Sequence, residues 1–279
     1  IHIFLTFHNM LNKSLFNKYI TLANINLKQI MIYRFEFMMS IVITPITLLV
    51  YYFTWTAIFG NGMMTSTLGY TLTDMISYFV VGMVINHAIY NNVGVDLQNK
   101  IMDGSLSADL LKPISPFFVF LIQNITNRAF AFIAEVLPVF FISLLMFKFQ
   151  LPNMLTLLIF LISLMLSFLL NFMINIMMGL IAFWVKNIRS IQWFWFIIIR
   201  LFSGEFLPLE FFGATFITIS SFLPFQYIRY SPIRIFIGKL DVYASLNVLF
   251  VQAIWIIILI LVFQFFWKKA MKQFGAVGG

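Results

Sequence analysis

Glu135 and Arg128 carry the residue types that most invite chemistry, because each is ionisable and lies in or beside an otherwise apolar run. They are seven residues apart, which on a helix places them two turns apart on one face. A lone carboxylate at bilayer depth costs about 2–3 kcal/mol, so Glu135 needs a reason to be there. Two roles fit the spacing: a structural ion pair or hydrogen-bonded network across helices, or a carboxylate that takes up and releases protons. Glu205 is a further candidate for the charged network, and with Glu210 it flanks Pro208, where an outer vestibule is expected. His87 lies among Asn86, Tyr90 and Asn91, a setting that suits interhelical hydrogen bonding better than metal ligation or a proton relay.

Other chemistries lack their residues. The chain has no cysteine, which removes disulfides, thiolate catalysis and cysteine metal sites. Its histidines, His2, His8 and His87, are far apart, so no metal site is expected. Gly238-Lys239 would need a glycine at position 233 to form a phosphate-binding loop, and Ile233 stands there. Intramembrane proteolysis would need a serine near a histidine, or paired aspartates within spans, and neither pattern is present. The sequence reads as a non-enzyme.

The elements that must position these groups are membrane helices. The chain of 279 residues is 62% hydrophobic and 9% charged, with a mean hydropathy of +0.99, far from a soluble domain. Apolar runs cover Phe37 to Gly60, Met75 to Val95, Ala129 to Phe147 (broken only by Glu135) and Met154 to Val185. Two more cover Ile191 to Ser203, which contains Arg200, and Val242 to Trp267. A hydrocarbon core of about 30 Å takes roughly 20 helical residues, so the expectation is six transmembrane helices, the fifth of them short and irregular.

Basic residues orient the bundle. With the N-terminus inside, Lys13, Lys18, Lys28, Arg34, Lys100, Lys112, Arg128, Lys186, Arg189, Lys268, Lys269 and Lys272 share one side, twelve of the 17. Lys148, Arg229, Arg234 and Lys239 fall opposite. Both termini are therefore expected in the cytoplasm of a multi-pass cell-membrane protein. The formal charge of +8 follows from topology, not from nucleic-acid binding. No cleavable signal peptide is read, and translation is expected to start at Met10, leaving 1–9 untranslated and 10–279 as one transmembrane domain.

Within that domain, 10–34 has helical periodicity, with Phe16, Ile20, Ala23, Leu27 and Ile30 opposite Lys13, Asn17, Thr21, Asn24 and Lys28. A basic amphipathic helix ahead of a span lies in the headgroup plane. The polar loop 96–116 has room for one short helix capped at Ser105 or Ser107, with Leu106, Leu110 and Leu111 on one side, and its length suggests a docking surface. The segment 204–241 is broken by Pro208, Gly213 and Pro224. A full crossing there would put the basic tail outside, so a re-entrant helical hairpin from the outer face is expected.

Polar stripes complete the pattern. Ser163, Ser167, Asn171, Asn175 and Gly179 recur at steps of four, as do Gly82, Asn86, Tyr90 and Gly94. Thr44, Thr47, Tyr51 and Thr54 or Trp55 form a third beside Pro45. Such stripes serve helix packing or line a polar pathway. Thr47, Tyr51, Trp55, Asn86 and Tyr90 are the pathway candidates, in an aromatic, amphipathic wall.

Taken together, the chain resembles the permease subunits of type-2 ABC exporters, most closely their six-helix subfamily of unassigned substrate. The resemblance rests on the amphipathic N-terminal helix and on Ile101-Met102-Asp103-Gly104-Ser105-Leu106 through Leu110-Leu111-Lys112-Pro113-Ile114. It rests also on Gly204-Glu205-Phe206-Leu207-Pro208-Leu209, on Leu223-Pro224-Phe225, and on Gln252-Ala253-Ile254-Trp255 ahead of a basic end. Glu205 departs from the small or apolar residue expected at that turn. The resemblance implies a homodimer or heterodimer of six-helix domains in membrane lipid, each docked on an ABC ATPase that holds the ATP and Mg. It implies that the loop after the second span acts as a coupling helix, with Lys100, Ile101, Asp103, Gly104, Leu106, Asp109, Leu110 and Lys112 the coupling residues. Export of an amphiphilic drug, peptide or lipid-like substrate by alternating access is then the expected function. The alternative is a stand-alone ion-coupled transporter or channel that uses Glu135 and Arg128.

Overall fold

A computed structural model describes residues 13–32, 34–60, 69–147, 151–185 and 189–277. The expected start at Met10 and the segment 1–9 lie outside them. The described residues form an all-α protein: α1 (Lys13–Ile32), α2 (Arg34–Gly60), α3 (Leu72–Ile89), α4 (Val93–Met102), α5 (Leu106–Leu110), α6 (Pro116–Ala131) and α7 (Leu137–Met146). Then follow α8 (Met154–Leu180), α9 (Arg189–Phe202), α10 (Ala214–Ser221), α11 (Tyr230–Phe236) and α12 (Val242–Val277). Five helical stretches, Val42–Gly60, Leu72–Met102, Pro116–Met146, Met154–Phe183 and Val242–Lys272, are long and apolar enough to cross a membrane. The apolar helix Ser190–Phe202 is shorter. At 1.5 Å per residue it reaches only about 20 Å.

Local chemistry starts and breaks these helices. Thr71 Oγ1 accepts from the Asp74 amide and the Asp74 carboxylate accepts from the Thr71 amide, a reciprocal cap that opens α3. Asn153 Oδ1 caps α8 through the Thr156 amide at 2.8 Å, and Asp241 Oδ1 caps α12 through the Ala244 amide at 2.7 Å. Between α6 and α7 one wide turn, Phe132–Val136, precedes Pro138 and contains Glu135. Proline has no amide to donate, so the ladder widens there without ending the helix.

α3 and α4 are one span broken at Tyr90–Asn92, where the Tyr90 backbone is extended. The carbonyl of Ile89 at the break accepts from Asn171 Nδ2 of α8 at 2.8 Å and from Asn91 Nδ2 at 3.2 Å. That satisfies a backbone group for which hydrocarbon offers no partner. The helical backbone then runs on to Met102, so the non-helical connection is shorter than the expected loop from Asp96.

The centre of the bundle is α8, whose Leu170, Phe172 and Ile176 are fully buried. Its polar stripe divides the work of packing. Ser163 and Ser167 bond to Gln252 of α12, which is itself fully buried and also donates to the Tyr227 carbonyl at 2.8 Å. Gly179 meets Gly94 of α4 backbone to backbone, and a Cβ on Gly179 would lie 2.7 Å from the Gly94 carbonyl oxygen.

The helix α1 packs on α6 through a face the periodicity did not single out. Tyr19 is buried beside Phe118, with ring centroids 6.4 Å apart. Asn26 donates to the Gln123 carbonyl and to Asn127 Oδ1. Ile20, in the expected apolar stripe, is exposed instead. The residues 204–241 fold back on the bundle. Phe211 and Glu210 meet Tyr70 ahead of α3, Arg229 reaches Asn86 near the far end of α3, and Lys239 returns to Asp74 at its start.

Candidate functional site

Two cavities lie within the bundle, of about 250 Å³ and about 560 Å³. The smaller is lined by Thr44, Thr47 and Tyr51 of α2, by Gly82, Asn86 and His87 of α3, and by the turn after α9. The larger opens beside the α3–α4 break, between Tyr90, Asn91 and Asn92, the amides Asn171 and Asn175 of α8, and Gln192, Trp193, Trp195 and Phe196 of α9. Asn86, Arg200, Glu205 and Arg229 line both.

Those four residues form one charged cluster. Arg200 Nε lies 2.8 Å from Glu205 Oε1, and Arg229 Nη1 lies 3.2 Å from Glu205 Oε2. Arg229 also donates to Asn86 Oδ1 at 2.9 Å and to Ser203 Oγ at 3.2 Å. The turn that carries Glu205 is fixed by Gly204, which has φ +72° and whose carbonyl accepts from the buried Tyr78 hydroxyl at 2.5 Å. A Cβ at Gly204 would sit 2.7 Å from that hydroxyl, so both the backbone conformation and the contact demand glycine. Glu210 sits in a separate group, accepting from Tyr70 and Tyr230 with Arg234 Nε at 3.8 Å.

Glu135 is tied to His87, not directly to Arg128. Its Oε2 lies 2.8 Å from His87 Nδ1, and His87 Nε2 lies 3.1 Å from Thr44 Oγ1, so one imidazole joins three helices. Arg128 donates to the His87 carbonyl at 3.0 Å and stands 5.4 Å over the Tyr90 ring. Arg128 and Glu135 thus meet through His87.

Of the pathway candidates, Thr47, Tyr51 and Asn86 line the smaller cavity, and Asn86 and Tyr90 the larger. Trp55 lines neither; it is buried against Phe79 and Phe211. Arg229, one of the basic residues expected on the outer side, is 6% exposed against Asn86. Arg200, an arginine inside an apolar run, was the available signal for this cluster.

The residues expected to couple to an ATPase lie together at the end of α4 and in the turn after it. Lys100 and Lys112 both reach Asp109, at 2.5 and 2.6 Å. Burial pushes the Asp109 carboxyl up, but the hydrogen bonds and charges of the two lysines outweigh it and hold it below its ordinary value. A carboxylate depressed in the fold stabilises it above the ordinary carboxylate pKa, and that stability is lost only as pH falls through the depressed value. The Asp103 carboxylate accepts from the Ser105 amide, and Gly104 has φ +76°, which turns the chain into α5. Ile101 is half-buried and Leu106 is fully buried, whereas Leu110, Leu111 and Met102 are exposed. The leucines of this helix therefore do not share one side.

An all-helical bundle with five membrane-length spans among the described residues defines a multi-pass membrane protein. Residues 45–278 match the family model of the ABC-2 family transporter proteins, and the chain belongs to that family. It is thus a transport permease, the membrane component of a transporter and not its catalyst. No curated protein and no solved structure matches it.

Proposed function

We propose that this chain is the transmembrane subunit of an ATP-driven exporter that moves an amphiphilic substrate out of the cell by alternating access. The observation that carries the reading is the turn between Met102 and Pro116. It is braced by the Asp109 ion pairs, anchored inward by Leu106, and it presents Met102, Leu110 and Leu111 outward. Exposed apolar side chains on a rigid turn suit docking on a partner protein, and an ABC ATPase with its ATP and Mg is that partner. ATP-driven closure of two ATPases would push on the turn, and α4 would transmit the push to α8 through the Gly94–Gly179 contact. The permease acts as a homodimer or heterodimer in the cell membrane, with both termini cytoplasmic.

The test of docking is Leu111→Asp, alone and with Leu110→Asp. Leu111 is 87% exposed, so its replacement leaves the bundle intact. Membrane insertion should be normal, while co-purification of the ATPase and stimulated ATP hydrolysis should fall to background. Retained co-purification would refute the docking surface.

The six-span count with a re-entrant hairpin at 204–241 belongs to the same reading. Support comes from the short α9 and from the path of the segment, which meets Tyr70, descends to Asn86 and returns to Asp74. On the cysteine-free chain, Phe216→Cys should react with impermeant thiol reagents only from outside and Lys272→Cys only from inside. Labelling of position 272 from outside would mean that the segment crosses fully.

A second reading, ion-coupled transport without an ATPase, is favoured by one observation, the titratable His87–Glu135 pair within the spans. Under the exporter reading Glu135 is structural. Glu135→Gln keeps an acceptor for His87 and should retain much of the transport, whereas Glu135→Leu strands His87 and should lower the folded yield. A Gln variant that melts normally in detergent but transports nothing would decide for the proton-coupled reading.

A further inference from the structure

Several ionisable groups among the described residues offset one another one to one. Asp74 pairs with Lys239 and Glu210 with Arg234, and Glu135 and Arg128 offset each other across His87. At Glu205 one carboxylate faces two guanidinium groups, Arg200 and Arg229. A surplus cation is therefore held inside the bundle, where Arg229 is buried and an uncompensated charge is costly. It stands in the wall common to both cavities.

The larger cavity repeats the bias toward donors. Among the described residues, Gln192 Nε2, Trp195 Nε1 and Arg229 Nε of its lining have no acceptor, against one unpartnered acceptor, Asn91 Oδ1. Buried donors without partners are rare and destabilising, and an acceptor-rich occupant would satisfy them. Part of the wall is aromatic: Trp193 and Phe196 line the cavity and are also exposed, so an aromatic surface leads from the charged cluster to the surface of the bundle.

We infer that this cavity binds an amphiphile with an anionic oxygen head, carboxylate or phosphate. The head sits on Arg200 and Arg229, whose planar donors suit two-oxygen recognition, and the apolar chain lies along Trp193 and Phe196. That the occupant is the exported substrate rests on the transport reading above; that it binds does not.

The test uses the purified full-length permease in phosphatidylcholine nanodiscs without an ATPase. Dibromostearate, which quenches tryptophan within contact range, is titrated beside the brominated amine of the same chain. Saturable quenching by the carboxylate, with an affinity at least about tenfold above that of the amine, is expected from one charge-assisted contact. Arg200→Gln leaves the Arg229–Glu205 pair and the Asn86 and Ser203 bonds in place, and it should weaken dibromostearate by about tenfold on the same grounds. Glu205→Gln keeps an acceptor for the arginines but raises the net positive charge, so its folded fraction, less stable than the parent, should bind dibromostearate more tightly. Displacement by lysophosphatidate identifies a phosphate head, and its failure to displace bound dibromostearate a carboxylate one.

Equal quenching by the amine would overturn the proposal, as would indifference to both variants or competition by inorganic phosphate at the amphiphile's own concentration. Failure of the Leu111→Asp test would remove the ATPase reading and leave selective binding standing. Loss of selective binding would do the reverse.

Discussion

Replacing Glu205 by leucine is expected to be the most damaging single change, costing the fold about 3–5 kcal/mol, the usual penalty for removing one partner of a buried ion pair. Arg229 is buried and holds Asn86 and Ser203 besides Glu205, so without the carboxylate it becomes an uncompensated charge among helices α3, α9 and α11. The measurement is folded yield and melting temperature in detergent. The diagnostic step is the double variant Glu205→Leu with Arg229→Met, which removes the stranded charge and should recover part of the loss. A double variant worse than Glu205→Leu alone would mean that Arg229 stabilises chiefly through Asn86 and Ser203, and that the ion pair is secondary.

Gly179→Leu should be nearly as severe. A Cβ at Gly179 would lie 3.0 Å from both the Gly94 Cα and the Leu97 Cβ, besides the 2.7 Å approach to the Gly94 carbonyl oxygen. All the obstructing atoms are backbone or the root of a buried side chain, so nothing can rotate away. Small residues let membrane helices approach in this way, and overpacking such a contact costs roughly 1–3 kcal/mol even for a modest addition. Gly179→Ala should therefore lower the melting temperature measurably, and Gly179→Leu should lower both the melting temperature and the folded yield sharply. Gly82→Ala is the control, since its Cβ would meet only the end of Ile233 at 3.5 Å. If Gly82→Ala proved as harmful as Gly179→Ala, close backbone packing would not be the cause.

Both experiments probe the same mechanical element. The span α3–α4 carries Asn86 against Arg229 at one level, the break at Tyr90–Asn92 below it, and Gly94 against α8 further on. It continues into the turn with the exposed Leu111. A displacement of that turn would reach the cavity wall through one broken helix whose free carbonyl is held by Asn171.

How much of this is legible in the sequence depends on whether a feature is local. The membrane class and the five long spans follow from runs of apolar residues, which act locally. The short helix Leu106–Leu110 starts after Ser105 as expected, but that serine makes no side-chain capping bond, and Ser107 Oγ donates to the Gly104 carbonyl instead. The break at Tyr90 was not legible, because Asn91 and Asn92 occur in many unbroken helices and the partner that stabilises the break, Asn171, is about eighty residues away. The burial of Arg229 was not legible for a related reason: a basic residue beside Pro224 and Pro232 looks like loop until the segment is seen folded into the bundle.

Hydropathy also cannot say which side of an apolar helix faces inward. In α12, Leu261 is 56% exposed and Phe263 is 1% exposed, and nothing in their chemistry separates them, because lipid and protein interior are equally apolar. In α1 the same ambiguity hid Tyr19 and Asn26 behind the more obvious stripe through Ile20. The sequence by itself determined what must lie in the membrane, since that is a transfer energy summed residue by residue. Only the tertiary structure decided that Glu135 meets His87 and that two arginines share Glu205, since those pairings depend on the rotation and register of helices fixed by close contacts such as Gly94 on Gly179.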